Sequence, residues 1–311
     1  MLIIVIKTIT FVKRTKGEDS LRMLSRARNE WIVLAMMSGL AATNPILAVA
    51  EADATGEPAA LLSAFFGLDN DLPFRANMLC LGASGMDGMP VVLSRTVDPE
   101  TLQAEDFRIV TTSGDERIPH CVTLRPAQDP GELRTVLLIG EFGNADDDPP
   151  VSVQVVGDLF SEGTTSQNDE PVNFRGLHTT VIPLSAGPSL VLAERITVAN
   201  LATETRGTTC PENIAQVVRA TWAGGVRRPG REELGDAERR LYRVTVERED
   251  GSTREVVPAA LADLEDGDNN HLLCLDTADT ALAVSFPAGH LVDPNQDLNP
   301  DTQVRVSRGM N

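Results

Sequence analysis

Tyr242-Arg-Val-Thr-Val-Glu-Arg-Glu-Asp-Gly-Ser-Thr-Arg-Glu-Val-Val257 is the stretch whose reading decides the fold. Tyr242, Val244 and Val246 recur at every second position, and alternate residues of a strand share one face. Asp250-Gly251 supplies the left-handed backbone of a tight hairpin turn. Thr253–Val257 then carries the β-branched residues of a returning strand. The stretch therefore reads as a β-hairpin with one apolar face.

The same pattern extends outward. His271–Asp276 places Leu273 and Leu275 on one face. Leu282, Val284 and Phe286 are expected to share a face, as are Val304 and Val306. In the first half, Pro90–Ser94, Phe107–Val110, His120–Leu124 and Val151–Val155 read as short strands. Thr135-Val-Leu-Leu-Ile139 is continuously apolar, as in a strand buried on both faces. Pro58–Phe66 reads as a short helix, with Pro at its start and Gly67 past its end. Many short strands with turn chemistry between them predict a mainly β chain with two antiparallel β-sandwich domains. The expected spans are an acidic lead with the short helix over 51–72, one sandwich over 73–186 and another over 187–311, with the boundary at Ser185–Ser189.

The N-terminal part is of another kind. All three lysines precede residue 17, so residues 1–22 read as an upstream extension, with translation starting at Met23. Residues 23–50 read as a secretory signal peptide. Arg26 and Arg28 form its basic region, an apolar stretch begins at Trp31, and Ala48-Val49-Ala50 is a small-x-small cleavage site before Glu51. The apolar stretch stops at Thr43-Asn44-Pro45, short of the ~20 residues that a membrane span needs. Periplasmic or extracellular localisation is the expectation.

All four cysteines, Cys80, Cys121, Cys210 and Cys274, lie beyond the signal. An even count in an oxidising compartment predicts two disulfides, for which three pairings exist. Sequential pairing, Cys80 with Cys121 and Cys210 with Cys274, puts one in each half.

The net charge is −18, and losing the seven basic and three acidic residues of the first fifty leaves −22. That surface repels phosphate backbones and anionic lipid, so neither nucleic acid nor, after signal cleavage, a membrane is an expected partner. One Tyr and two Trp make no stacking platform for single strands. A protein or carbohydrate partner is left open.

Pro90-Val-Val-Leu-Ser-Arg-Thr-Val-Asp-Pro-Glu-Thr-Leu-Gln-Ala-Glu-Asp-Phe-Arg-Ile-Val110 resembles the opening of bacterial immunoglobulin-like domains of surface-layer and adhesin type. Those show a strand, then Val-Asp-Pro-x-Thr-Leu, then an Asp/Asn-Phe-x-Val strand. The resemblance reaches roughly Phe142 and departs at the closing strand, where Arg134-Thr-Val-Leu-Leu-Ile stands. It implies a β-sandwich used for spacing or binding. Val292-Asp-Pro294 repeats one piece of it and suggests a diverged duplication.

Chemical motifs are few. Gly82-Ala-Ser84-Gly85 is one residue off a nucleophile elbow and reads as a turn. His120, His178, His271 and His290 are scattered without ligand spacing. Met78, Cys80, Met86 and Met89 offer soft sulfur, against which stands ordinary packing of the methionines with Cys80 bridged. Trp222 beside Gly224-Gly225 reads as buried. No catalytic motif is found, and no enzyme activity is expected.

The best chemical signal is two runs with oxygen donors at every second position, Asp266 and Asp268, then Asp293, Asn295, Asp297 and Asp301. Calcium is the cofactor such runs suit. Leu298 and Val304 stand where an EF-hand needs Gly and Glu, so no EF-hand is read, and two solvated acidic turns are the other reading. Strands 271–276 and 281–286, taken as antiparallel neighbours, would bring both runs to one pole. The expected function is an exported β-sandwich protein with a non-catalytic binding or structural role. Its alternatives are a calcium-stabilised adhesion or carbohydrate-binding module and a secreted hydrolase with an interdomain site.

Overall fold

The computed structural model describes residues 58–127, 129, 131–163, 170–196, 209–262, 264 and 267–308. The extension 1–22, the signal segment 23–50 and the acidic start of the lead lie outside the described residues. Asp53–Asn311 forms one compact unit, and its described part is mainly β.

The first sheet contains β1 (Leu61–Phe65), β2 (Asp87–Leu93), β3 (Phe107–Thr111), β4 (Glu116–Arg117), β5 (Cys121–Thr123), β6 (Thr135–Gly140), β7 (Pro150–Val155) and β8 (His178–Ile182), in the spatial order β4-β3-β7-β8-β1-β2-β6-β5. The second contains β9 (Leu190–Ile196), β10 (Gln216–Trp222), β11 (Arg243–Glu247), β12 (Thr253–Val256), β13 (Ala260–Ala262), β14 (Asn270–Leu275), β15 (Thr280–Phe286) and β16 (Thr302–Arg308), in the order β12-β11-β15-β16-β9-β10-β14-β13. A single turn of helix, α1 (Asp236–Arg239), precedes β11.

These two orders are the same order, strand for strand. In each sheet the first strand pairs antiparallel with the second and parallel with the last, β1 with β8 and β9 with β16. The chain therefore repeats one eight-stranded unit. Both sheets curl over their own cores. Val91, Leu93, Val136 and Leu138 of β2 and β6 meet Phe107, Ile109, Val153 and Val155 of β3 and β7 in one buried cluster. Val218, Ala220, Leu273 and Leu275 meet Val244, Val246, Val284 and Phe286 in the other. Each buried Val, Leu, Ile or Phe contributes about 1.5–3 kcal/mol relative to exposure.

Continuous apolar runs mark the two-faced strands. In β6, Val136 and Leu138 enter the main core while Ile139 packs on the opposite side. In β14, Leu273 and Leu275 face one way and Leu272 and Cys274 the other. The 242–257 hairpin forms as its alternation predicts, with Tyr242, Val244 and Val246 fully buried and Val244 opposite Val256.

Cys80 is bridged to Cys121 and Cys210 to Cys274, the sequential pairing. Each bridge fastens the long connection between the first two strands of its sheet. The first reaches the edge strand β5, whereas the second reaches β14, one strand further in.

Three expectations are corrected. The helix over Pro58–Phe66 is not formed, because Leu61–Phe65 is β1, hydrogen-bonded between β2 and β8. A short apolar run suits either structure, and strand pairing on both sides decides it. Leu282 does not share the face of Val284 and Phe286. A register shift between Thr245 and Val246 opposite β15 turns Ala281 inward and leaves Leu282 36% exposed. Finally, β14 and β15 are not neighbours, since β14 lies between β10 and β13 and β15 between β11 and β16.

Candidate functional site

Buried charge joins the two halves of the repeat. Glu132 and Arg134 stand just before β6, and Glu194 and Arg219 lie in β9 and β10. Arg134 Nη1 is 2.8 Å from Glu194 Oε2, and Arg134 Nη2 donates to Glu194 Oε1 at 3.1 Å. Arg219 lies 3.6 Å from Glu194 and 3.4 Å from Glu132, and donates to the Gly131 carbonyl at 2.9 Å. No member's side chain is more than 10% exposed. Two acids and two bases thus neutralise each other out of water, where a lone charge would be costly.

Beside this junction the halves touch through apolar surface and then part. A Cβ at Gly224 would come 2.9 Å from Phe65 Cδ1 and 3.2 Å from Pro90 Cγ, so only glycine permits this approach. Next to it lies an apolar cavity of about 190 Å³, walled by Phe65, Leu68, Leu72, Pro90, Leu124 and Leu137 from the first half. Gly224, Gly225, Asn269 and Pro294 close it from the second. It shares Leu68, Leu72, Gly225, Gly267, Asp268 and Pro294 with a wider mouth of about 710 Å³. The mouth is charged, with Asp71, Arg75, Arg227, Arg231, Asp268 and Asp293 on its walls. Arg227 is paired with Glu233.

Both acidic runs reach this mouth, although not through adjacent strands. The loop before β14 brings Asp268 and the loop after β15 brings Asp293. Asp268 is already engaged, its Oδ1 accepting from Asn270 N at 2.7 Å and its Oδ2 from Asn270 Nδ2 at 3.0 Å. Asp293 is 2% exposed, and its Oδ1 accepts from Asp297 N at 2.9 Å. Its Oδ2 is closed to solvent with no hydrogen-bond partner among the described residues. Burial pushes the Asp293 carboxyl up to about 6, the Asp297 charge adds to the rise, and the Asp297 and Asn295 backbone N–H groups oppose it. Asn295 donates to Asp297 Oδ2 at 2.6 Å within the same turn. Asp301 is carried elsewhere: it accepts from Ala288 N at 2.9 Å and borders a separate depression beside Pro287 and Thr302. Asp266 lies outside the described residues. Among the described residues no three of His, Cys, Asp and Glu are grouped to hold a metal ion.

The remaining sequence candidates fall apart in space. Asn77 Oδ1 accepts from Gly82 N and Ser84 N at 3.1 and 3.2 Å, so Gly82-Ala-Ser84-Gly85 is a capped turn. His120 Nε2 is 2.9 Å from the Leu81 carbonyl. Met89 is fully buried in the first core while Met78 is 83% exposed.

Trp222 is buried and heads a polar chain through the second core. Its Nε1 donates to Tyr242 Oη at 3.0 Å, and Tyr242 Oη is 2.8 Å from His271 Nδ1. An indole N–H can only donate, so the Tyr242 proton is free to point at His271 Nδ1. That places the imidazole proton on Nε2 and keeps the ring neutral. Burial drives His271 down to about 4 and Tyr242 above its ordinary range.

The four-charge junction and the cleft went unread in the sequence. A signal existed: Glu194 and Arg219 interrupt the apolar runs Leu190–Ile196 and Gln216–Trp222 where a buried strand has no place for an unpaired charge. Among the described residues, no helix is long and apolar enough to cross a membrane. No family model and no curated protein matches this chain.

Proposed function

We propose that this chain is an exported, disulfide-stapled protein of two immunoglobulin-like β-sandwich units with a non-catalytic binding role, and that its ligand occupies the cleft between them. The cleft carries this reading: an apolar inner chamber of about 190 Å³ opening into a charged mouth of about 710 Å³. Small-molecule sites are concave, mostly apolar, about 300–1,000 Å³ in size and common at domain junctions. The two disulfides support an oxidising destination.

A neutral apolar fluorophore, N-phenyl-1-naphthylamine, tests the reading. Saturable binding is expected, with at least tenfold weakening in Gly225→Leu. At Gly225 an added Cβ would meet only the Asp268 carbonyl, at 3.9 Å, so the new side chain has room to fill the chamber. Absent saturation, or equal binding by the variant, would contradict the proposal.

A second reading, a calcium-stabilised adhesion or carbohydrate-binding module, draws on the arrival of Asp268 and Asp293 at one mouth. It requires a higher unfolding midpoint in millimolar calcium than in chelator, and an equal midpoint rejects it.

A further inference from the structure

We infer that Asp293 is the recognition group of the cleft and that the ligand joins a protonated amine to an apolar chain or ring. The inference rests on the reading of the cleft as a binding site and adds to it the chemical class of the ligand.

Asp293 is 2% exposed, and its Oδ2 has no hydrogen-bond partner among the described residues. An unpartnered buried acceptor is destabilising, and more so when it is charged. Such an atom persists where something outside the chain completes it, as a ligand, an ion or a water. Asp293 lies between Val292 and Pro294, and all three border the mouth. The side chain is fixed in place, because Oδ1 accepts from Asp297 N at 2.9 Å while Gln296 N donates to the Asp293 carbonyl at 3.1 Å. Gln296, itself exposed and bordering the mouth, also donates through Nε2 to that carbonyl at 3.3 Å.

The choice among completing groups follows from the neighbours. A divalent ion needs several oxygens, and among the described residues no three acidic, His or Cys side chains are grouped to supply them. A single carboxylate oxygen instead suits a single charged N–H donor, the stronger kind of hydrogen bond. Asp71 and Asp268 border the same mouth opposite Arg75, Arg227 and Arg231, so the charges of its walls balance in number, and Arg227 is taken up by Glu233. Pro294 borders both the mouth and the chamber, so the amine and the apolar part of one small ligand fit side by side.

Three probes sharing a six-carbon chain test this by titration calorimetry on the intact protein: hexylammonium, hexanol and hexanoate. Hexylammonium is expected to bind at least tenfold tighter than hexanol, with hexanoate weakest. Asp293→Asn should bring hexylammonium to the level of hexanol and change hexanol binding less than twofold. The order of the probes in the wild-type protein needs no variant, so it decides the matter even if Asp293→Asn folds poorly. Equal binding of hexylammonium and hexanol would overturn the inference and point to water as the partner of Oδ2. Hexanol binding that is lost in Gly225→Leu would then leave the cleft reading standing. Failure of all three probes would overturn both.

Discussion

Arg134 and Glu194 meet as a two-point ion pair across the junction of the two sheets, at 2.8 and 3.1 Å, with both side chains out of water. Arg219 braces the same carboxylate from β10 and reaches back to Glu132. The relative placement of the two units, and with it the shape of the cleft, depends on these charges remaining balanced.

Glu194→Ala removes the shared acid and leaves two buried arginines, Arg134 and Arg219, with Glu132 as the remaining carboxylate of the junction. The expected loss is about 3–5 kcal/mol, read by urea unfolding. Replacing Arg134, Glu194 and Arg219 together with Met, Leu and Met should recover most of it. A loss below about 1 kcal/mol for the single variant, the range of an exposed pair, would contradict the buried junction.

His271 predicts a particular pH dependence. Its folded value of about 4 lies below the ordinary 6.5, so the unfolded chain takes up a proton first as pH falls. The stability it contributes is complete above pH 6.5 and is lost between 6.5 and 4, to a limit of about 3 kcal/mol. Asp87 and Asp293 work oppositely. Both are raised from 3.8 to about 6 by burial, so their burial penalty at neutral pH is relieved as pH falls through 6. Comparing wild type with His271→Asn isolates the histidine: the wild type should lead at pH 7 and that lead should shrink by pH 4. A constant difference would contradict a neutral, buried His271.

The two disulfides should differ in access. Each bridge joins a buried cysteine, Cys80 or Cys274, to a half-buried one, Cys121 or Cys210, but Cys121 lies on the edge strand β5 whereas Cys274 lies in β14, one strand further in. Dithiothreitol under native conditions should open Cys80–Cys121 before Cys210–Cys274, as followed by alkylation and peptide mapping. Each bridge closes a long loop, of sequence separation 41 and 64, so each should contribute roughly 4 kcal/mol. Simultaneous opening would mean that reduction proceeds through global unfolding.

The proposed export predicts a particular mature terminus: cleavage after Ala50 would release a chain beginning at Glu51 that contains no lysine. A lysine-specific protease should leave that chain whole even when it is reduced and unfolded. An intact mass that includes residues 23–50 would contradict cleavage.

What was legible in the sequence was local. The hairpin at 242–257 and the two-faced run of β6 carry their own periodicity, and both form as read. Pro58–Phe66 reads as helix because Pro58 and Gly67 bracket a short apolar run with no period of its own, while the partners of its strand Leu61–Phe65 lie 27 residues or more away in sequence. The bulge that turns Leu282 outward is a property of the pairing with β11, not of the segment. The duplication was hinted at by Val97-Asp98-Pro99 and Val292-Asp293-Pro294. Yet these are not equivalent positions: Val97 bridges to Ser161 and Val292 to Arg227, so the two motifs lie on opposite members of corresponding loop pairs. Strand order preserves the repeat where side chains do not. For the candidate site, oxygen spacing led to Asp268 and Asp293, but the apolar chamber draws on residues from both halves that no local pattern connects.

The most direct measurement of the central claim is a chemical-shift map of the isotopically labelled protein titrated with hexanol, the neutral probe. Saturable shifts are expected at Leu68, Leu72, Gly224, Gly225, Asn269 and the residues around them, drawn from both units at once, while the exposed turns at Gly114 and Gly251 stay still. Shifts scattered over the surface without saturation, or confined to one unit away from the junction, would contradict a binding cleft between the two sheets.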